Sequence, residues 1–235
     1  MTLSTRTLVA VAALLPAFFI AADTGAPLAG HWEGAISTPL EEIVVAVDLA
    51  TDASGKLGGT FSSPSQGLNG FPLWGASSDG SVVKLELKMA DPGIRTFDGR
   101  LSPDGQTIQG QFLIDVYAVP FTLKRSGEAQ IAPPLKSAAI DAKLAGAWRG
   151  SLEVAGRSLP LTLTLTNHAD RTATGAWSAG GAPAIPVAIA YAGGTLTLTS
   201  PVTPASFTGT LSADGTQISG ELNEGAKPVP VVFTR

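Results

Sequence analysis

Apolar and polar residues alternate along much of this chain, at the two-residue spacing of a half-buried β-strand. Ile43, Val45, Val47 and Leu49 share one face of such a run, because successive side chains on a strand point to opposite sides. Leu159, Leu161, Leu163 and Leu165 do the same further on, with Thr162, Thr164 and Thr166 on the other face. Val83, Leu85, Leu87 and Met89 make a third run, and Val119, Phe121 and Leu123 a fourth. Between the runs stand residues suited to positive φ in tight hairpins: Ala53-Ser54-Gly55, Asp79-Gly80, Asp104-Gly105, Gly193-Gly194 and Asp214-Gly215. No segment carries a convincing helical period.

The pattern occurs twice. Leu28-Ala29-Gly30-His31-Trp32-Glu33-Gly34 returns as Leu144-Ala145-Gly146-Ala147-Trp148-Arg149-Gly150, and Gly59-Thr60-Phe61-Ser62 returns as Gly175-Ala176-Trp177-Ser178. Near the ends, Phe97-Asp98-Gly99-Arg100-Leu101-Ser102-Pro103-Asp104-Gly105 reappears as Phe207-Thr208-Gly209-Thr210-Leu211-Ser212-Ala213-Asp214-Gly215, and Arg125 as Arg235. Each unit is roughly 90 to 100 residues, long enough to fold alone, so the chain is a tandem pair of domains and not a solenoid. About eight antiparallel strands with one apolar face each close naturally into a barrel, which also removes the exposed edges that invite aggregation. The expectation is therefore an all-β protein of two tandem up-and-down β-barrels, at residues 28–125 and 144–235, joined by a linker at 126–143 that contains Pro133-Pro134.

Composition narrows this further. Only 14% of the residues are charged, against 27 Gly and 17 Pro, a balance that disfavours exposed helix faces and favours short strands and turns. The net charge of -4 offers no basic footprint for phosphates, so nucleic acid is excluded as an expected partner. Arg6, the apolar run from Leu8 to Ile20 and the small residues Ala21 and Ala22 read as a secretory signal peptide at 1–22. A periplasmic or secreted protein with no membrane span after cleavage follows. There is no Cys, so neither a disulfide nor a thiolate contributes.

The Gly30-x-Trp32 and Gly146-x-Trp148 pairs heading each first strand, with Arg125 and Arg235 ending each last strand, resemble the lipocalin and wider calycin arrangement. That resemblance implies a Trp plugging the closed end of each barrel and an Arg stacked over it. Independently, the first and last strands of a closed barrel pair antiparallel, which sets the start of one beside the end of the other. Each unit is shorter than a lipocalin and has no helix after its last strand. The unit is also similar to uncharacterised barrel domains of secreted bacterial proteins, a likeness that brings no catalytic residues.

Strand parity puts the tight turns at the Trp end and the longer loops at the other. Those loops are 37–42, 62–70, 90–94 and 115–118 in copy one, with counterparts at 178–184, 200–205 and 223–227. Loops on a rigid scaffold and barrel mouths are usual recognition sites, which nominates Gln66, Asn69, Phe71, Trp74, Tyr117, Trp177 and Asn223 as ligand-binding, with unequal binding between the halves. The chemical inventory does not look enzymatic. Both His residues, His31 and His168, lack a match in the other copy and read as solvated; no metal set or cofactor motif is visible. Three classes stay open. One is a non-enzymatic binding module that takes a small apolar or amphipathic ligand at a barrel mouth. Another is an accessory module with solid barrels acting on a partner protein or envelope polymer. The least supported is an enzyme using Asp, Glu, Ser or Tyr at a mouth.

Overall fold

The computed structural model of the chain describes residues 28–154, 156–225 and 227–235, so the expected signal peptide lies outside the described residues. Copy one forms β1 (Gly30–Ser37), β2 (Glu42–Thr51), β3 (Leu57–Ser63), β4 (Leu68–Pro72), β5 (Gly75–Asp79), β6 (Val82–Lys88), β7 (Ile94–Leu101), β8 (Thr107–Ile114) and β9 (Tyr117–Gly127). A linker strand β10 (Ser137–Ala138) precedes copy two. That copy comprises β11 (Gly146–Val154), β12 (Arg157–Asn167), β13 (Thr172–Ala179), β14 (Ile185–Ala192), β15 (Thr195–Thr199), β16 (Ser206–Leu211), β17 (Gln217–Asn223) and β18 (Val229–Thr234). All paired strands are antiparallel, and each copy is an up-and-down sheet whose first and last full strands, β1 with β9 and β11 with β18, lie side by side.

Copy two closes completely. The first part of β14 pairs with β13 through 185–187, and the rest pairs with β15 through 188–192, which joins eight strands into a ring. Copy one follows the same circuit with that strand broken in two. Only Leu73 and Trp74 separate β4, paired to β3, from β5, paired to β6. The Leu73 amide donates to the Gly59 carbonyl at 2.9 Å on one side, and the Trp74 amide donates to the Glu86 carbonyl at 2.8 Å on the other. The alternating apolar positions all turn inward: Val45, Val47, Leu49, Leu85 and Leu123 in one barrel, and Leu163, Leu165, Leu196 and Leu198 in the other, are buried.

The Trp ends of the two barrels are built alike. The Trp32 indole N–H donates to the Leu28 carbonyl at 3.0 Å, and that of Trp148 donates to Leu144 at 2.9 Å. The Arg125 guanidinium lies 4.3 Å from the Trp32 ring centroid and Arg235 lies 4.1 Å from that of Trp148. Each guanidinium also donates to carbonyls at the head of its own copy, Arg125 to Ala29 and Arg235 to Lys143. Fully buried indoles and near-surface cations of this kind attract by roughly 0.5–2 kcal/mol. The Asp-Gly turns at this end are side-chain capped: Ser102 Oγ bonds Asp104 and Ser212 Oγ bonds Asp214, both at 2.5 Å. Those bonds hold both carboxyls below the ordinary Asp value. Their oxygens cap the turns.

The other end departs from the sequence reading. The segment 115–118 is not a long loop: β8 runs to Ile114 and β9 starts at Tyr117, leaving a two-residue turn at Asp115 with φ of 50°. The true long loops of the two copies pack on each other. Gly180, with φ of 60°, approaches the Ala90 carbonyl so closely that a Cβ would overlap it. Gly67 packs near Pro204, and the Asn69 amide donates to the Val202 carbonyl at 2.9 Å. Val202 itself is buried in the core of copy one. The β3–β4 loop of copy one thus meets the β15–β16 loop of copy two, and the β6–β7 loop meets the β13–β14 loop. Each copy offers both kinds of loop, as in an isologous dimer interface.

His31 is a second correction. It is not solvated: its side chain is 12% exposed and its Nδ1 lies 2.7 Å from Oδ1 of the buried Asp48, its cross-strand partner. Asp48 also accepts the Gln130 amide at 2.6 Å, fastening the start of the linker to barrel one. His168 stays in an exposed turn and bonds Thr174 Oγ1 at 2.9 Å. The linker continues onto copy two, where β10 pairs with β13 and Asn167 exchanges two hydrogen bonds with Ile140.

Candidate functional site

The interiors of the two barrels differ in aromatic content. In barrel one, Phe97 sits 5.8 Å from Phe61, 4.4 Å from Phe112 and 5.0 Å from Phe121, measured between ring centroids. The four rings pack the space above Trp32. In barrel two the alignment of the repeats puts Phe207 at the place of Phe97, yet Leu222 at that of Phe112 and Val231 at that of Phe121. Ile185, opposite Trp177 across β13 and β14, takes the place of Phe71, which is opposite Phe61 across β3 and β4. Three rings are thereby exchanged for aliphatic side chains. Phe207 instead meets Phe233, which stands at the place of Leu123, at 5.4 Å edge to face.

A cavity of about 710 Å³ is bordered by all three of these aliphatic replacements. Leu161, Ile185, Phe207, Leu222, Val231 and Phe233 wall it from within barrel two, and it opens at the long-loop end. Copy one supplies part of the wall there through Phe71, Met89, Ala90, Pro92 and Arg95. The cavity therefore lies where the copies meet, and neither repeat alone encloses it. Its size is within the roughly 300–1,000 Å³ range of pockets for small organic ligands.

Charge is confined to the mouth. Arg95 donates two hydrogen bonds to Asp91, at 2.9 and 2.7 Å, a forked pair that holds the Asp91 carboxyl below its ordinary value. Arg157 and Glu224 reach the wall from the β11–β12 and β17–β18 turns, and neither makes an ion pair among the described residues. Glu224 is accessible, yet the apolar wall around its carboxyl desolvates it and pushes its pKa up. Ser178 Oγ is committed to the Ala182 carbonyl at 3.0 Å. Thr203 Oγ1 is buried and has no hydrogen-bond partner.

Of the residues nominated from sequence, the structure places Phe71 and Trp177 on the cavity wall. Gln66 lies in a 3-10 turn, Pro64–Gln66, and Asn69 is part of the contact between copies. Trp74 stands in the β4–β5 break with Lys88 Nζ 4.5 Å from its ring centroid. Tyr117 is 71% exposed in the β8–β9 turn. Asn223 pairs with Ser206 at the end of β17, between the wall residues Leu222 and Glu224 without lining the cavity itself. Sequence reasoning missed Leu222, Val231 and Thr203. The first two were legible as ring-for-aliphatic differences between the repeats; Thr203 carried no signal. Among the described residues no cluster of three or more His, Cys, Asp or Glu is placed to hold a metal, and no helix is long and apolar enough to cross a membrane.

No protein-family model matches the chain, and neither does any curated protein. Among solved structures, it is similar to a protein of unknown function of the DUF3598 family from Nostoc punctiforme, at 14% identity over 87% of this chain and 94% of that one, with a TM-score of 0.27. It is also similar to a Bacteroides fragilis protein proposed to belong to the outer membrane, at 14% identity over 88% and 95%, with a TM-score of 0.28. A Myxococcus xanthus hemagglutinin complexed with a mannopentaose matches at 13% identity over 86% and 91%, with a TM-score of 0.19. At these scores the likenesses carry no functional argument.

Proposed function

We propose that the chain is an exported, calycin-like, non-enzymatic binding protein that takes a small apolar or amphipathic ligand into the mouth of its second barrel. The observation that carries this reading is the 710 Å³ cavity walled by aliphatic and aromatic side chains from both repeats. Burial of apolar ligand surface there contributes about 25 cal/mol per Å² before the costs of association. The first repeat acts as scaffold and partial cover, and the cavity needs no cofactor. Phenylnaphthylamine, an uncharged dye that brightens in apolar surroundings, tests it directly. The intact protein binds the dye, and the Val231→Phe variant, which restores a ring at the place of Phe121, loses at least tenfold in affinity while keeping its β-sheet circular dichroism. Equal dye binding by both proteins overturns the assignment.

The second reading, an accessory module acting on a partner protein or envelope polymer, draws support from a different place. Leu40 and Val116, at adjacent hairpin tips of barrel one, are 97% and 89% exposed. It predicts that Leu40→Ser with Val116→Ser abolishes retention of an envelope partner without changing dye binding.

A further inference from the structure

Among the described residues, the ionisable side chains of the cavity wall are Asp91, Arg95, Arg157 and Glu224, and they divide into two kinds. Asp91 and Arg95 belong to one loop and satisfy each other through their forked pair. Arg157 and Glu224 come from separate turns of copy two. They form no ion pair with each other or with any other described residue, Lys227 in the turn of Glu224 included. The two turns are neighbours. β11 lies beside β18 with Arg149 facing Thr234, which sets the β11–β12 and β17–β18 turns side by side at the long-loop end. The corresponding turns of copy one hold Glu41 and Asp115 but no base. An unpaired cation and an unpaired anion thus share a mouth in the copy that has the cavity, and not in the other.

Glu224 stands against an apolar wall, and desolvation without a compensating partner pushes its pKa up. Its carboxylate gains more from a cation brought beside it than a fully hydrated carboxylate would. Arg157 offers a planar fork of donors to an anion. A head of a single sign meets one of these two groups favourably and the other unfavourably, and an uncharged head leaves both unmatched. Ser178 Oγ is already bonded to the Ala182 carbonyl and Thr203 Oγ1 is shut off from solvent, so neither hydroxyl competes for the head. Building on the binding role proposed above, we infer that the cavity takes a zwitterionic amphiphile whose head bridges the mouth, its cation to Glu224 and its anion to Arg157. The hydrocarbon chain lies along the apolar wall, and the Asp91–Arg95 pair borders the head on the copy-one side as a neutral unit.

The experiment is competition against phenylnaphthylamine at neutral pH by a matched twelve-carbon set, each member below its micelle concentration. The set is dodecanol, dodecanoic acid, dodecyltrimethylammonium and dodecyl betaine, whose head joins a quaternary ammonium to a carboxylate. On the intact protein the betaine is expected to displace the dye about tenfold better than any of the other three, as charged contacts at an accessible mouth allow. In Glu224→Gln its advantage over the acid is expected to vanish, and in Arg157→Gln its advantage over the ammonium. Glu221→Gln removes a carboxylate of β17 that does not line the cavity and is expected to keep the betaine preference. A general loss of packing would not produce that crossed pattern. Equal competition by the betaine and dodecanol on the intact protein, or better competition by the acid or the ammonium, overturns the assignment of the head while the cavity reading stands. An effect of Glu221→Gln as large as that of Glu224→Gln overturns it too. If the dye itself does not bind, the cavity reading falls and the head assignment with it.

Discussion

The two barrels share a circuit, a Trp–Arg base and a turn chemistry, yet one is packed with rings and the other holds a cavity. The difference comes from a few positions. Phe112, Phe121 and Phe71 of copy one give way to Leu222, Val231 and Ile185, all three beside the cavity, while copy two gains Trp177 for Phe61 and Phe233 for Leu123. Protein interiors pack at crystal density, and the central side chains of both barrels are shut off from solvent; the cavity lies beside the core of copy two, where the two repeats meet.

The largest expected contrast tests that difference. Phe97→Ala removes a ring in contact with three others and costs about 3–5 kcal/mol. Phe207→Ala, which gives up a single ring contact, to Phe233, costs clearly less, as read from thermal unfolding by circular dichroism. A loss at Phe207 equal to that at Phe97 would falsify the contrast between the two ring clusters. The bases, by contrast, are expected to behave alike. Arg125→Ala and Arg235→Ala each give up a cation–π contact and carbonyl bonds, worth about 1–2 kcal/mol; costs that differ severalfold would show that the shared geometry hides unequal packing.

The smallest effect concerns the linker clamp, present in copy one alone. Where His31 faces Asp48, copy two has Ala147 facing Thr164. Burial lowers the His31 pKa, but hydrogen bonds and charge from Asp48 and Glu33 outweigh it and the net shift is upward. A raised folded-state pKa means the added stability is fully present below the ordinary His value of about 6.5 and is lost as pH rises through the folded value. The intact protein should therefore unfold at a lower temperature on the alkaline side of that window, and His31→Ala should remove that slope. A slope unchanged in His31→Ala would assign the pH dependence to other groups.

The strands and the closure at the Trp end were legible because their causes are local. Val45, Val47 and Leu49 report their face by spacing alone, Asp104-Gly105 and Asp214-Gly215 announce their turns, and strand parity brings Arg125 to Trp32. His31 was misread because the partner that decides its state, Asp48, is seventeen positions away in a register no short window displays. The loop residue Asn69 was nominated for recognition because it sits on a long loop at an open end; its amide bonds the other copy of the same chain.

From sequence alone came the period of the strands, the duplication, the turns and the sealed base, since each depends on neighbours along the chain or on strand order. Tertiary structure alone decided where the cavity lies, because its wall is drawn from strands and loops of both copies that are far apart in sequence. It also decided that the open ends meet, through loops that no short stretch of sequence brings together.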